Sequence, residues 1–192
     1  NKLLEHNVEH AFLYSGGAIM SLVDKFHKSN IKYYINTHEQ SAGHAATGYA
    51  KTCGKPGILI TTSGPGITNA ITPMTDANND STPLIVLSGQ VSKSVMGTNA
   101  FQECPSVDIS KPITKWSYCV QDVNEIPSVM DEAFRVAIHG KPGAVHIDLP
   151  KCVLTSKINK IENKYYHNLK PIDKINTFNI DKVSELINTS KK

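Results

Sequence analysis

The sequence predicts an α/β domain, a doubly wound, six-stranded, mostly parallel sheet with helices on both faces. Three observations carry that expectation. Short apolar, β-branched runs recur along the chain, bounded by Gly, Pro, Asn or Ser. Between them lie stretches whose apolar residues fall at helical spacing. The strongest runs, Gly57–Thr62 (GILITT) and Pro83–Gly89 (PLIVLSG), lack polar alternation, as strands buried on both faces of a parallel sheet do.

The elements follow in order. Leu3–His6 reads as the end of a helix with Asn7 as its cap. Val8–Tyr14 is extended and stops at Ser15-Gly16-Gly17, and Ala18–His27 carries apolar residues at 19, 20, 22, 23 and 26, one helical face. Ile31–Ile35 is a short strand. The Ala-rich stretch Gln40–Thr52 is a helix, stopped by Gly54 and the Lys55-Pro56-Gly57 turn. After the strand Gly57–Thr62, Ser63-Gly64-Pro65-Gly66 turns the chain into a helix from about Ile67. Pro83–Gly89 and Ile113–Val120 are strands. Glu125–His139 is an amphipathic helix, and Ala144–Leu149 is the last strand. Strands alternating with helices at this interval call for parallel crossovers.

With 192 residues, 40% hydrophobic and 19% charged, the chain has enough apolar mass for one domain with a real core. No apolar stretch approaches the length of a membrane span, and the charged first residues, NKLLEHNVEH, do not resemble a signal peptide. The four cysteines, at 53, 104, 119 and 152, form no Cys-x-x-Cys pair. Neither a zinc knuckle nor a disulfide framework is expected, and reduced thiols point to a cytoplasmic protein. Residues 1–155 hold 12 Lys/Arg against 13 Asp/Glu, whereas 156–192 hold 8 against 4. The basic character therefore belongs to the tail, which argues against nucleic acid as a partner. From 156 to 177 the chain is Lys/Asn-rich without period, a surface linker. Ile180–Ile187 then opens a new helical pattern, either the threshold of a further domain or a docking C-terminal helix.

Familiar phosphate fingerprints are absent: there is no Gly-x-x-x-x-Gly-Lys-Ser/Thr, and Ser63-Gly64-Pro65-Gly66 is not followed by the third glycine of Gly-x-Gly-x-x-Gly, since Asn69 stands there. That turn is either a plain strand-to-helix connection or one that lets a planar ligand approach backbone closely at the carboxyl end of a sheet. His6 and His10 lack the glutamate a zinc-protease pair needs. His38 and His44 around Glu39 are more often partnered surface groups than metal ligands, so no metal ligand is assigned. Glu39 at a helix opening has a bland reading as a complement to the helix dipole.

Glu39 nevertheless belongs to a longer signature. The string His38-Glu39-Gln40-Ser41-Ala42-Gly43-His44-Ala45-Ala46-Thr47-Gly48-Tyr49-Ala50-Lys51 resembles one found in thiamine-diphosphate enzymes. Around it fall Tyr14-Ser15-Gly16-Gly17, Thr62-Ser63-Gly64-Pro65-Gly66 with Asn69, and Gly89-Gln90-Val91. Further on come Gly97-Thr98-Asn99-Ala100-Phe101-Gln102-Glu103, Thr114-Lys115-Trp116, Gly140-Lys141-Pro142-Gly143 and Asp148-Leu149-Pro150-Lys151. In order and spacing these resemble acetolactate synthase (acetohydroxyacid synthase). Ser15, Thr47, Lys51, Asn99 and Cys152 depart from the family's Pro, acidic, Arg, Asp and Asp.

The resemblance implies a pyrimidine-binding domain over 1–155, with 156–192 forming a linker and the first helix of a central domain that the chain does not contain. It implies that Glu39 is catalytic, holding the aminopyrimidine N1′ so that the cofactor's own 4′-amino group can act as a base. Tyr14, Thr62, Pro65 and Asn69 would line the cofactor, Gln102 would stand at the reacting centre, and Phe101 and Lys151 would border the substrate channel, although Lys151 reads equally well as a solvated lysine. The implied reaction decarboxylates pyruvate on thiamine diphosphate and condenses the two-carbon unit with a second 2-oxoacid, as in branched-chain amino acid biosynthesis. Mg²⁺ and FAD would be held by domains absent here, in a homodimer or homotetramer, and the fragment alone would be inactive. Rival expectations are a subunit of a two-chain 2-oxoacid decarboxylase and a non-catalytic regulatory homologue.

Overall fold

The computed structural model describes residues 2–161, 164, 166, 167, 169 and 177–191. In chain order the elements are α1 (Lys2–Glu5), β1 (His10–Leu13), α2 (Met20–His27), β2 (Lys32–Ile35), α3 (Glu39–Cys53), β3 (Gly57–Thr61), α4 (Pro65–Asn69), α5 (Ile71–Asn79), β4 (Leu84–Gln90), α6 (Ser106–Ser110), β5 (Trp116–Cys119), α7 (Ile126–Ile138), β6 (Ala144–Pro150), α8 (Lys151–Thr155) and α9 (Thr177–Thr189). The six strands pair in the order β2-β1-β3-β4-β6-β5, and every pair is parallel. The sheet is thus wholly rather than mostly parallel.

Strand alternation builds two cores. Ile58, Ile60, Ile85, Leu87, Val145 and Ile147 face one side with Phe26 of α2 and the apolar stripe of α7. Leu59, Leu84, Val86 and Ala144 face the other, with Ala42 and Ala46 of α3, Ile67 of α4 and Met74 and Ala77 of α5. Central strands sandwiched this way must be apolar throughout, as the runs at 57–62 and 83–89 are.

The differences from the sequence expectations have local causes. The helix expected from about Ile67 begins at Pro65 and breaks at Ala70, because Pro73 has no N–H to donate to the Asn69 carbonyl. The strand expected over 113–120 shrinks to Trp116–Cys119, after a 3₁₀ turn at Lys111–Ile113 built around Pro112. Helices α6 and α8 are only five residues each, too short to show a period. Asn7 does end α1, in the left-handed region at φ 55°. Lys115 donates to the carbonyls of Val136 and His139 at the end of α7. Within 156–177, the described residues form neither helix nor strand before Thr177, but they are not all free of the domain. Tyr166 donates to the buried Glu125 at 3.3 Å, His167 meets the buried Glu132 at 2.7 Å, and both rings pack on Trp116 of edge strand β5. The remainder of that stretch lies outside the described residues. Along α9, Ile180, Val183, Leu186 and Ile187 are exposed.

On the α6 side, β4 and β6 end in polar rather than apolar residues. Ser88 Oγ donates to Asp148 Oδ1 at 2.6 Å and meets His146 Nε2 at 2.7 Å, and His146 Nδ1 meets Ser110 Oγ at 2.7 Å. Gln90 Nε2 donates to Asp148 Oδ2 at 3.0 Å, and Ser106 Oγ donates to the same oxygen. Ser88, His146 and Asp148 are all fully or almost fully buried. The serine stands between the histidine and the aspartate, so the three do not have a hydrolase order, in which histidine is central.

This chain of bonds ties folding to pH in two opposite ways. Burial pushes the His146 imidazole from 6.5 to about 3, so the stability of its neutral form is present above pH 6.5 and is lost as pH falls toward 3. Burial pushes the Asp148 carboxyl from 3.8 to about 6, against the pull of Ser106, Ser88 and Gln90. The stability of its protonated form is therefore present below pH 3.8 and lost as pH rises toward 6. Between roughly pH 4 and 6 the two proton uptakes offset each other. Asp148→Asn removes one of them. Relative to wild type, the variant should lose about 1.4 kcal/mol of stability per pH unit on going from pH 6 to 4, read by urea unfolding at each pH. Parallel stability curves for the two proteins would contradict this.

Candidate cofactor site at the switch point of the sheet

From β1 the chain crosses to β2 through α2 on one face, and from β3 it crosses to β4 through α4 and α5 on the other. Where neighbouring parallel strands part in this way, their carboxyl ends open a crevice, the usual ligand site of doubly wound sheets. Ser15-Gly16-Gly17 follow β1, and Thr62-Ser63-Gly64-Pro65-Gly66 follow β3. The two turns touch: a Cβ on Gly16 would stand 2.5 Å from Thr62 Cβ. Gly64 has φ +56°, and a Cβ there would stand 2.8 Å from the Gln102 carbonyl oxygen. The loop bearing Gln102 therefore closes over this turn.

Glu39 enters from β2 as the first residue of α3, just after His38, whose Nδ1 accepts the Gln40 amide at 3.1 Å and caps the helix. Its side chain is 6% exposed. Asn69 Nδ2, at the end of α4, donates to Glu39 Oε2 at 3.0 Å. Among the described residues Oε1 takes no hydrogen bond. A Cβ on Gly66 would stand 3.5 Å from that oxygen and 2.8 Å from Thr62 Cγ2, so glycine keeps open the gap between them. Thr62 Oγ1 and Thr61 Oγ1 are buried and have no hydrogen-bond partner among the described residues. A buried hydroxyl without a partner is costly unless a ligand or water completes it.

The crevice therefore brings together Glu39, Asn69, Thr62 and the Gly64-Pro65-Gly66 turn, with Gln102 adjoining through its backbone. Tyr14 follows β1, its amide donating to the Ile60 carbonyl at 3.2 Å and its ring partly exposed. Phe101 is 89% exposed. Lys151 is exposed at the start of α8, beyond β6, with β4 lying between β6 and β3. His44 approaches Asp76 at 3.9 Å, and among the described residues no group of three His, Cys, Asp or Glu is placed to hold a metal ion. The quoted motifs contain Gln90 and Asp148, but their bond to each other was not legible, because they lie 58 residues apart.

A largely dry carboxyl with one open oxygen, beside a glycine-floored gap and an unpaired hydroxyl, suits the edge of a planar heteroaromatic ring that carries both donor and acceptor nitrogens. An aminopyrimidine is such a ring, and these residues fit it. Fold and crevice together define the class, an α/β domain of the cofactor-binding kind with its crevice at the carboxyl ends of the strands.

The chain belongs to the thiamine pyrophosphate enzyme family, matching its N-terminal TPP binding domain over residues 1–111. It is 43% identical to the mitochondrial acetolactate synthase of Schizosaccharomyces pombe over 201 aligned residues, covering 99% of this chain and 30% of that protein. It is 42% identical to the mitochondrial acetolactate synthase catalytic subunit of Saccharomyces cerevisiae, covering 97% of the chain and 28% of the relative. It is also 40% identical to the acetolactate synthase large subunit of Corynebacterium glutamicum, covering 99% and 31%. The chain thus spans about three-tenths of the length of these relatives.

The placement of Glu39 rests on close packing of α3 against α5. A Cβ on Gly43 would stand 2.4 Å from Pro73 Cγ and 2.6 Å from Pro73 Cβ. Gly43→Ala should push the helices apart and cost about 1–3 kcal/mol, the range for overpacking. The urea midpoint measures it; an unshifted midpoint would mean that α3 and α5 do not meet this closely.

Proposed function

We propose that this chain is the pyrimidine-binding domain of an acetolactate synthase-like enzyme, which decarboxylates pyruvate on thiamine diphosphate and condenses the two-carbon unit with a second 2-oxoacid. The observation that carries this reading is Glu39, buried at the switch-point crevice with one oxygen committed to Asn69 and the other open. Bound thiamine diphosphate would supply the carbon acid whose deprotonation starts the reaction. Glu39 would hold a proton at the pyrimidine N1′. Asn69 holds Oε2, which would leave Oε1 alone to meet the ring. Thr62 and the Gly64-Pro65-Gly66 turn would form the wall beneath the pyrimidine, with Tyr14 at its rim, and Gln102 would approach the reacting centre from the loop above. Phe101 and Lys151, both exposed in this chain, would border the substrate channel once a partner surface covers them.

The rest of the reading concerns the whole protein. Residues 156–192 would be a linker and the opening helix of a central domain, and Mg²⁺ and FAD would be held by sequence outside this chain. A homodimer or homotetramer would complete the site. The cytoplasmic assignment is supported by the four free cysteines, which suit a reducing compartment. Among the described residues no helix is long and apolar enough to cross a membrane, and two relatives are mitochondrial by name. The product would serve branched-chain amino acid biosynthesis.

Two measurements test this. In the whole enzyme, Glu39→Gln keeps the size of the side chain but removes its acid, and acetolactate formation from pyruvate should fall by roughly a hundredfold or more; a rate near wild type would remove Glu39 from the mechanism. On this reading residues 1–192 alone would lack the charge-assisted contacts that a diphosphate needs. They should bind thiamine diphosphate with a dissociation constant of about a millimolar or weaker, by calorimetric titration in the presence of Mg²⁺. Micromolar binding would mean that the diphosphate is held by this domain.

A further inference from the structure

The loop between β4 and α6 makes an unusual demand on its surroundings. Within six residues it places Gly97, Asn99 and Gln102 in the left-handed region, at φ 82°, 58° and 60°. Two of the three are not glycine, and such residues persist only where neighbouring structure over-determines them. Apolar packing anchors the loop only at Cys104, which joins the core on the α3 and α5 side, and leaves residues 97–102 exposed or half-buried. Phe101, at the tip, is exposed, and a cavity of about 330 Å³ lies against the loop, its lining including Met96, Asn99, Cys104, Gln90, Ser106 and Asp148. The restraint is polar. Glu103 accepts the amides of Gly97 and, at 3.0 Å, Ala100, and these bonds hold its carboxyl below the ordinary carboxylate range. That is a tie internal to the loop. Gln90, on the last residue of β4, is the tie to the sheet: its Nε2 donates to the Cys104 carbonyl at 2.9 Å and to Asp148 Oδ2 at 3.0 Å.

The geometry of Gln90 explains why the tie is specific. Its Oε1 accepts the Val91 amide at 2.9 Å, so the amide plane is fixed and its two N–H bonds are aimed. One reaches the loop, and the other needs an acceptor at the buried end of β4. Asp148 Oδ2, at 3.0 Å, is the nearer acceptor and Ser106 Oγ, at 3.2 Å, a second, and Asp148 is held in turn by Ser88 and Ser106. Cys104 is two residues from Gln102, whose backbone lies against Gly64 at the floor of the crevice. We infer that Asp148, acting through Gln90, is the positioning residue for the loop that carries Gln102 to the cofactor crevice.

The inference rests on the proposed function only for what Gln102 does once it is placed, so two readouts keep the claims apart. The first is hydrogen exchange of the unliganded protein. Gln90→Met and Asp148→Leu each break the tie, and protection of the amides at 98–104 should fall at least tenfold, while the β3 and α3 amides remain protected. Asp148→Asn retains an acceptor for Gln90 and should keep loop protection within about threefold of wild type. The second readout is acetolactate formation by the whole enzyme. Gln90→Met should lower kcat about tenfold with the thiamine diphosphate affinity changed less than twofold, because Glu39 and Thr62 are untouched. Added to Gln102→Ala, it should cost nothing more, the non-additivity expected of residues that act in series.

Unchanged loop protection in both Gln90→Met and Asp148→Leu would overturn the inference whatever the activity. So would multiplicative losses in the double variant. A wild-type enzyme that forms no acetolactate would sink the functional reading instead, and the exchange data would then decide the positioning role alone.

Discussion

The site depends on the way the chain leaves β1 and β3 in opposite directions. Neighbouring parallel strands whose connections run on the same face leave no gap at their ends; here the connections diverge and the backbone ends face open space. Everything else at the crevice adjusts to that gap. Gly16 and Gly66 have no side chains because Thr62 occupies the space. Glu39 can be buried without a cation because Asn69 meets one oxygen and the start of α3 favours negative charge. The carboxyl is thus stabilised in part and left incomplete in part, which suits the role proposed for it.

Much of this was legible in the sequence for physical reasons that can be stated residue by residue. Ile58, Leu59 and Ile60 are consecutive and apolar because both faces of β3 are covered, and a run of that kind is read as a buried strand without further information. Gly54 stops α3 with φ 66°, and a glycine after an Ala-rich period signals that stop. Glu39, Thr62 and Asn69 were identifiable because their spacing repeats a family pattern rather than because composition singled them out. What stayed hidden is long-range or very short. The break between α4 and α5 depends on one missing N–H at Pro73, and helices of five residues carry no readable period. The bonds from Asp148 to Ser88 and Gln90 join strands that only the sheet order brings together, and no local pattern announces them.

The polar ends of β4 and β6 also show how a parallel sheet tolerates buried ionisable groups. Ser88, Gln90, His146 and Asp148 alternate with Leu87, Gly89, Ile147 and Leu149, so one face of each strand stays apolar for the α7 side while the other is given over to hydrogen bonding. Each polar atom needs a partner there, and α6 supplies them through Ser106 and Ser110. This short helix matters for its hydroxyl groups more than for its length.

The attachment of Tyr166 and His167 to Glu125 and Glu132 makes the two borders of the sheet unlike. At β5, the rings of Tyr166 and His167 pack on Trp116 and bond to the buried carboxylates of Glu125 and Glu132, so side chains from later in the sequence lie on that strand. At β2 the strand Lys32–Ile35 stands mostly in solvent with Tyr34 and Ile35 outward, and its free backbone groups are guarded chiefly by brevity and the charge of Lys32. Among the described residues the two margins of the sheet are therefore unequally covered. Any pressure toward unwanted strand pairing, during synthesis or under stress, falls on β2, the margin next to the strand from which the crevice opens.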